Sequence, residues 1–249
     1  MSDIQQRFHP ETFGALNAER YDGLYGPEAD PAELEVLAEL AAGGTVLEFA
    51  IGTGRVALPL AARGLKVAGV EASPEMVAKL KAKPGGGAIP VTIGDMAEVG
   101  PEGEFDLVFL VFNTLFNLTT QDAQVRCFQN AARHLAPRGV FVLEVFTPDV
   151  AALNRDGVKT VALTFGSVWL EALKHDHVTQ TVDYQYIRLT RDGIRLTPLP
   201  MRYAWPAEMD LMARLAGLEL RERWADWDRA PFTAASSKHI SVYGWPRAS

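Results

Sequence analysis

The sequence predicts an α/β fold, a doubly wound and mostly parallel seven-stranded sheet with an antiparallel β lid inserted after the fifth strand. Between Thr45 and Phe146, short apolar segments alternate with segments of helical periodicity, which is typical of parallel strand–helix–strand units. The central strands are continuously apolar, as strands are when helices cover both faces of a sheet. After Val158 strand-like segments follow one another without helices, and this change predicts the antiparallel insertion.

Residues 1–30 contain aromatic residues spaced among polar residues and glycines, and we expect them to form an irregular N-terminal flap. The first helix is predicted to begin at Pro31, a residue favoured in the first helical turn. Gly43-Gly44 end this helix and lead into the first strand. The apolar residues of this helix have the spacing of one buried face: Leu34, Leu37, Ala38 and Ala41.

The parallel strands and their helices follow this first helix along the chain, and Pro137-Arg138-Gly139 is predicted to form the turn before the last parallel strand. We expect one Rossmann-like domain to comprise residues 31–150 and 206–249, and we expect residues 151–205 to form the lid. The predicted elements are the strand from Thr45, helix Val56–Arg63, strand Lys66–Val70, helix Pro74–Lys83, strands Ile89–Ile93 and Phe105–Val111, helix Gln121–Leu135 and strand Val140–Phe146.

Asp192-Gly193 separates two runs of strand-like residues in the lid and predicts a tight hairpin. After the lid a helix is predicted to return and to end at Gly217, followed by two closing strands. The elements are strands Val178–Leu189 and Ile194–Tyr203, helix Glu208–Ala216, and strands Glu219–Trp224 and His239–Trp245.

The composition favours a protein with a large core and a small-molecule partner. Of the 249 residues, 48% are apolar and 22% are charged, which suits one large domain or a domain with an insertion. No apolar run is long enough to span a membrane and no secretory signal is evident, so we expect a cytoplasmic protein without a membrane partner. The net charge of −7, without a long basic run, disfavours nucleic acid. The single cysteine, Cys127, is predicted to be structural.

In open α/β sheets, ligands bind outside the carboxyl ends of the strands, so the residues just after each strand are informative. Gly52 and Gly54 follow the first strand, where bare backbone N–H groups approach a ligand closely. Glu71 ends the second strand, nineteen positions beyond Gly52, where an acid accepts hydrogen bonds from ribose hydroxyls. Asp95 and Met96 follow the third strand and pair a carboxylate with an apolar side chain, a combination that suits adenine.

In this order, Glu48-x-Ala50-x-Gly52-x-Gly54, Glu71, Gly94-Asp95-Met96 and Phe105-Asp106-Leu107-Val108 resemble the successive motifs of class I S-adenosylmethionine-dependent methyltransferases. The resemblance covers about Pro31 to Phe146. It implies that the loop from Glu48 to Gly54 holds the methionine part of S-adenosylmethionine, and that S-adenosylhomocysteine is the product. Ala50 stands where the family usually has its first glycine, and alanine is tolerated there if its φ is negative. The expected cofactor-binding residues are Glu48, Ala50, Gly52, Gly54, Arg55, Glu71, Ala72, Asp95, Met96, Phe112 and Asn113.

Two other readings of the strand-end motifs stay open at this point. A dinucleotide oxidoreductase prefers a third glycine where this chain has Ala57, and the usual Tyr-x-x-x-Lys motif is absent. A methyltransferase-like protein that binds the cofactor without turnover, for binding or assembly, is the alternative from another functional class.

The residues that would orient or deprotonate a methyl acceptor are less clear from the sequence. An amine or a hydroxyl loses a proton on methylation, whereas a carboxylate needs no base. His175, in Lys-His-Asp-His, is predicted to lie in a solvated turn, with a base or a metal pair with His177 as alternatives. No metal is expected, because Asn113-Thr114 stands where metal-dependent catechol methyltransferases have acidic ligands. The catalytic candidates are Tyr21, Tyr25, Asn117 and His175.

The region after the fourth strand, Asn113-Thr114-Leu115-Phe116, lacks the signature of DNA amino-methyltransferases. The lid resembles that of small-molecule members such as glycine, sarcosine and amino-sugar N-methyltransferases. We therefore expect N- or O-methylation of a small metabolite by a monomer or homodimer. Aromatic residues and arginines of the lid suggest a pocket for a ring-bearing or anionic molecule, or a subunit contact: Trp169, Tyr184, Tyr186, Arg188, Arg202, Tyr203 and Trp205.

Overall fold

The computed structural model describes residues 2–26, 28–153 and 157–247; the remaining parts of the predicted flap, lid and C-terminal segment lie outside the described residues. The helices are α1 Asp3–Arg7, α2 Thr12–Asn17, α3 Tyr21–Tyr25, α4 Pro31–Ala41, α5 Ala57–Ala62, α6 Pro74–Ala82, α7 Gln121–Arg133, α8 Val150–Leu153 and α9 Pro206–Leu215. The strands are β1 Thr45–Phe49, β2 Lys66–Glu71, β3 Val91–Ile93, β4 Phe105–Leu110, β5 Leu135–Phe146, β6 Gly157–Leu163, β7 Ser167–Asp176, β8 Thr181–Thr190, β9 Gly193–Arg202, β10 Glu219–Trp224 and β11 Lys238–Gly244.

The main sheet has seven strands in the order β10-β11-β5-β4-β1-β2-β3. Strands β1 to β5 are mutually parallel, and β11 lies antiparallel between β5 and β10. The predicted Rossmann-like α/β class is confirmed. Strand β1 lies between β2 and β4, so the chain reverses its direction of sheet growth there, which opens a crevice at the carboxyl ends of these strands.

Apolar residues are buried on both faces of the main sheet. On one face Leu47 belongs to a core cluster with Phe128 of α7 and Met209 of α9. On the other face Val46 belongs to a second cluster with Leu37 of α4. Successive strand residues point to opposite faces, so a strand covered by helices on both sides must be apolar throughout. Each fully buried side chain of this size contributes about 1.5 to 3 kcal/mol.

The N-terminal flap is not irregular, and that expectation was wrong. It contains three short helices, α1 to α3, and α2 packs on α6. The contact is close at Gly14, where an added Cβ would lie 2.3 Å from the Ser73 Cβ. A glycine there lets the two backbones approach. Helices of five or six residues have little stability of their own, so their formation depends on tertiary packing that the sequence pattern does not reveal.

The lid is a separate antiparallel sheet in the order β6-β7-β8-β9, as predicted. Thr190 pairs with Gly193 at the predicted hairpin, and this hairpin sets the register of β8 against β9. The segment from Val178 to Gln180 belongs to the preceding turn rather than to β8. Alternate residues of β8 and β9, including Tyr186, Leu199 and Met201, face the carboxyl edge of the main sheet.

The predicted turn at Pro137-Arg138-Gly139 was also wrong, because these residues lie inside β5. The pairing with β4 shifts from Leu135 opposite Phe105 to Val140 opposite Leu107, so the strand accommodates the extra residues as an irregularity. Helix α7 accordingly ends at Arg133 instead of Leu135. No helix among the described residues is long and apolar enough to cross a membrane.

Candidate active site

A cavity of about 400 Å³ lies at the carboxyl ends of β1 to β4. Residues just after these strands line its floor: Ala50, Ala72, Gly94 and Phe112. The flap contributes aromatic side chains and the lid contributes a mixed wall: Phe8, Phe13, Tyr21, Tyr25, Tyr186, Leu199 and Met201. The cavity has the size and the mixed lining of a small-molecule site.

The loop after β1 is held in left-handed backbone conformations. Ala50 has a φ of 53°, so the negative φ at which alanine is tolerated without strain is not adopted, and alanine carries about 1 kcal/mol of strain in this region. Gly52 has a φ of 56° and lines the cavity, and an added Cβ there would have only the Ala50 carbonyl oxygen, at 3.9 Å, within 4 Å. Gly54 plays another part, because a Cβ there would lie 2.4 Å from Leu80 Cδ1. This glycine lets the loop pack on α6 and is not among the cavity-lining residues.

Glu71 lies at the end of β2 and lines the cavity. Its Oε2 accepts a hydrogen bond from the Gly52 N–H at 2.9 Å, and its Oε1 accepts one from the Ser73 N–H at 2.9 Å. Burial raises the pKa of Glu71, and the backbone hydrogen bonds partly offset this effect. The two bonds hold the carboxylate in place. Each carboxylate oxygen has a second acceptor site for a hydroxyl group, as a ribose diol requires.

Asp95 and Met96 lie side by side at the end of β3 and both line the cavity. Asp95 Oδ1 accepts a hydrogen bond from the Ala97 N–H at 2.8 Å, which orients the carboxylate. The second carboxylate oxygen and the buried Met96 side chain provide an acceptor beside an apolar surface. This pair suits an aromatic ring that carries an exocyclic amine.

A small recess of about 30 Å³ adjoins the cavity and is lined by Glu48 and Arg55. The Arg55 guanidinium pairs with Glu33 at 3.2 Å and lies 5.2 Å from the centre of the Phe112 ring. Glu48 is buried, and its Oε2 has no hydrogen-bond partner among the described residues. Burial raises the pKa of Glu48 well above its ordinary value. An acceptor oxygen without a partner and a guanidinium suit the ammonium and carboxylate of an amino-acid group.

The loop after β4 is strained. Phe112 and Asn113 are consecutive non-glycine residues with φ of 62° and 64°. Asn113 Oδ1 accepts a hydrogen bond from the Phe146 N–H at 2.6 Å, so this side chain holds the loop against β5 while it lines the cavity. Asn117 also lines the cavity, and its buried Oδ1 has no partner in the described part of the chain. Strain of this kind is frequent at ligand sites.

The aromatic residues of the flap form one continuous group with the loop after β4. Ring centroids lie 4.9 Å apart between Tyr21 and Tyr25, and 5.6 Å apart between Tyr25 and Phe112. Burial raises the pKa of Tyr21 to about 12 and also raises the pKa of Tyr25. Both phenols therefore remain protonated at neutral pH.

A polar cluster that was not predicted from the sequence joins the flap to the loop after β1. Thr53 Oγ1 donates a hydrogen bond to Asp22 Oδ1 at 2.6 Å. Lys83 Nζ lies 2.7 Å from Asp22 Oδ2 and donates a hydrogen bond to the Thr53 carbonyl at 2.8 Å. We call Asp22, Thr53 and Lys83 the flap clasp. No local motif marks it, because its members are about 30 positions apart in sequence.

His175 does not lie in a turn, and that prediction was wrong. It belongs to β7, and its Nε2 lies 3.2 Å from Tyr203 Oη. It is not among the cavity-lining residues, so the structure gives a catalytic role for His175 no support. His9 lines the cavity instead. Other lining residues that were not predicted from the sequence are Pro10, Gly14, Met76, Leu118, Thr119, Thr120, Ala123, Leu199 and Met201. Leu199 lies on the same lid face as Tyr186, so the alternation of side chains along β8 and β9 could have predicted that it lines the cavity.

The cavity and its recess together fit S-adenosylmethionine. The uncrowded backbone at Gly52, the fixed carboxylates of Glu71 and Asp95, and the unpartnered oxygen of Glu48 match its successive parts. Among the described residues, no group of three or more His, Cys, Asp or Glu is arranged to hold a metal ion.

Comparisons with known proteins point to the same family. A family model of the methyltransferase domain matches residues 46–139. The cypemycin N-terminal methyltransferase of a Streptomyces species is 30% identical over 210 residues, which cover 80% of this chain and 82% of the relative. The dTDP-4-amino-2,3,4,6-tetradeoxy-D-glucose N,N-dimethyltransferase of Saccharopolyspora spinosa is 30% identical over 144 residues, 57% of this chain and 56% of that protein. The solved structure of the CcbJ methyltransferase from Streptomyces caelestis is 41% identical, with a TM-score of 0.87 and coverage of 96% of this chain and 100% of that one.

Proposed function

Because the chain belongs to the class I S-adenosylmethionine-dependent methyltransferases, we propose that it methylates the nitrogen of an amine in a small metabolite. The observation that carries this proposal is the composition of the cavity wall. The residues suited to the cofactor line the strand ends, and a second wall of aromatic and amide groups from the flap, the loop after β4 and the lid is left for an acceptor.

When bound, S-adenosylmethionine supplies a methyl group that its positive sulfur already activates. The chain then has to bind and orient two molecules. We assign Glu48 and Arg55 to the amino-acid end, Glu71 to the ribose, and Asp95 with Met96 to the adenine. Gly52 keeps the space between these groups open. Holding the acceptor in line with the methyl group is the main catalytic demand of such a transfer.

The acceptor wall favours an amine over a hydroxyl group. Methylation of a hydroxyl requires a positioned base, and burial keeps Tyr21 and Tyr25 protonated. An amine needs only to lose the proton of its ammonium form, and a partly apolar cavity lowers the pKa of an ammonium group. The cypemycin relative is an N-terminal methyltransferase and the Saccharopolyspora relative is an amino-sugar N,N-dimethyltransferase, and both names support nitrogen as the acceptor.

We assign acceptor positioning to Asn117 and Tyr25. The unpartnered Asn117 Oδ1 accepts a hydrogen bond from the N–H of an amine, which aims the nitrogen lone pair away from it. The Tyr25 hydroxyl contributes a second polar contact on the flap side. His9 lines the cavity and is exposed, so it is placed to pass the released proton to water.

Transfer of a labelled methyl group from S-adenosylmethionine across amines, phenols, sugars and carboxylates tests this function. Amines should be methylated, and phenols and carboxylates should not. Asn117→Ala should lower kcat for the amine by about tenfold or more, because a buried hydrogen-bond acceptor is lost, and should leave the affinity for S-adenosylhomocysteine unchanged. Labelled phenols or carboxylates without labelled amines would refute the choice of nitrogen. A protein that binds S-adenosylhomocysteine but methylates no compound would instead be a binding or assembly protein.

A further inference from the structure

Two arginines lie directly opposite each other on the lid. Arg188 of β8 pairs in register with Arg195 of β9. Strand alternation puts Arg188 on the same lid face as Tyr186, and Arg195 on the same face as Leu199. Tyr186 and Leu199 line the cavity, whereas both arginines are exposed. The pair therefore lies at the rim of the cavity, on the face that covers the active site.

A third arginine comes from the flap. Arg20 is half-buried and immediately precedes Tyr21, which lines the cavity. Helix α2 of the flap lies against β9, which brings this part of the flap to the lid. Burial lowers the pKa of Arg20, and the charges of Arg195 and Arg188 lower it further. The flap and the lid thus bring three cations together at one edge of the cavity.

None of the three rim arginines has a carboxylate within 4.0 Å in the part of the chain that the structure describes. The nearby acids have other partners, because Glu19 pairs with Lys79 at 2.6 Å and Glu171 pairs with Lys159 at 2.7 Å. The chain has 31 acidic residues and a net charge of −7. Like charges directly opposite on paired strands are destabilising, so this arrangement is costly without an anion.

We propose that Arg20, Arg188 and Arg195 bind an anionic group of the methyl acceptor, a carboxylate or a phosphate. This inference rests on the proposed function, because it describes the substrate of the same site. Arginine forks match the oxygens of both anions. Arg188 follows Tyr186 by two strand positions, which separates the anionic group from the cavity wall at Tyr186 by about 7 Å. The substrate is therefore an amine with its acidic group several bonds away, rather than an α-amino acid.

Matched acceptors test the proposal. 4-(Aminomethyl)benzoate and 4-(aminomethyl)phenylphosphonate carry the anion, and 4-(aminomethyl)benzamide is a neutral analogue of similar shape. We expect kcat/KM for at least one anionic amine to exceed that for the amide by about tenfold or more, with the two anions distinguishing carboxylate from phosphate recognition. The double variant Arg188→Gln/Arg195→Gln should lose this preference and retain its activity with the amide.

Arg191→Gln is the matched control, because Arg191 lies in the adjoining hairpin and its guanidinium stacks 5.3 Å from the Phe165 ring centre. This variant should keep the preference for the anion. Equal kcat/KM values for acid and amide in the native protein would overturn the proposal. A preference for the anionic amine that survives in the double variant would also overturn the proposal. A double variant in which only the oligomeric mass changes would overturn it as well.

A binding experiment separates this proposal from the proposed function. 4-Methylbenzoate, 4-methylphenylphosphonate and 4-methylbenzamide cannot accept a methyl group at an amine, and their binding to the S-adenosylhomocysteine complex is measured by calorimetry. Tighter binding of an acid that disappears in the double variant supports the anion site even if no amine is methylated, in which case the proposed function alone fails. Equal binding of acid and amide, or binding of neither, overturns the anion site.

Discussion

The flap clasp should control how tightly the cofactor is held. Asp22→Asn replaces the carboxylate that accepts the Thr53 hydroxyl and pairs with Lys83, while the side chain keeps its shape. The flap carries Tyr21 and Tyr25, which line the cavity, and Thr53 belongs to the loop after β1. Loss of the clasp should therefore loosen the flap over the cofactor site without removing any group that we assign to the cofactor.

The magnitude follows from the two contacts. A hydrogen bond to a charged group contributes about 1.5 to 3 kcal/mol, and the lower value applies because a third of the Asp22 side chain is exposed. A partly exposed ion pair adds about 0.5 kcal/mol. The sum is about 2 kcal/mol, which corresponds to a factor of about 30 in an equilibrium constant. Affinity for S-adenosylhomocysteine should fall by up to this factor, with most of the change in the dissociation rate.

Calorimetry gives the affinity, and stopped-flow displacement gives the dissociation rate. Thr53→Val removes the hydroxyl donor from the other side, and the double variant with Asp22→Asn measures the coupling of the two side chains. Glu19→Gln is the matched control, because it breaks another ion pair between the flap and α6, Lys79 to Glu19, whose acid is 83% exposed. Exposed pairs of this kind contribute little, so this variant should bind like the native protein.

Native affinity and a native dissociation rate of S-adenosylhomocysteine in Asp22→Asn would show that the clasp does not hold the cofactor. An equal loss of affinity in Glu19→Gln would show that the effect is not specific to the clasp. The pH dependence gives a further check. Burial raises the pKa of Asp22, but the hydrogen bonds from Lys83 and Thr53 and the charge of Lys83 lower it more, so the net pKa lies below its ordinary value. The clasp is complete at neutral pH and is lost only as the pH falls through this lowered pKa.

Four further predictions concern the cofactor site and the core. Gly52→Val should weaken S-adenosylhomocysteine binding by at least tenfold, because the φ of 56° at this position disfavours a branched residue and the new side chain enters the cavity. The control Gly87→Val, with nothing within 4 Å of its added Cβ, should bind normally, and equal affinities of the two variants would contradict the prediction. Asp95→Asn should weaken binding in the same calorimetric assay by about tenfold, since a charged acceptor is lost, and native affinity would remove Asp95 from the site. Ala50→Gly should raise the free energy of unfolding by less than about 1 kcal/mol in urea, because relief of strain at a φ of 53° exceeds the added chain entropy, and a loss of stability would contradict the strain. Burial lowers the pKa of His239 to about 3, so between pH 6.5 and pH 3 the native state binds fewer protons than the unfolded state. The free energy of unfolding should therefore fall by about 1.4 kcal/mol per pH unit as the pH decreases from the ordinary value of 6.5 towards 3. His239→Leu should flatten this slope in urea titrations, and an unchanged slope would assign it to other groups.

Most of the sheet and the cofactor half of the site were predictable from local patterns. Alternating apolar and helical segments indicate covered parallel strands, because burial on both faces requires apolar residues throughout. The positions of Glu71 and Asp95 follow from the same pattern, since the carboxyl ends of parallel strands share one edge. Both residues do line the cavity.

Local patterns failed where neighbouring elements decide the conformation. The three helices of the flap are too short to form without packing, and α2 depends on the contact between Gly14 and Ser73. Ala50 adopts a positive φ although alanine disfavours it, because the turn between β1 and α5 requires it there. The strand β5 absorbs Pro137-Arg138-Gly139 because pairing with β4 continues on both sides of it.

The sequence by itself determined the fold class, the edge of the sheet that binds the cofactor and the order of the cofactor motifs, because these depend on residues close together in the chain. Only the tertiary structure decided which distant side chains meet. It brought Asp22 to Thr53, placed Arg188 opposite Arg195 at the cavity rim, and moved His175 away from the cavity. Such contacts depend on how complete surfaces pack, and a residue's immediate neighbours in the sequence carry little information about them.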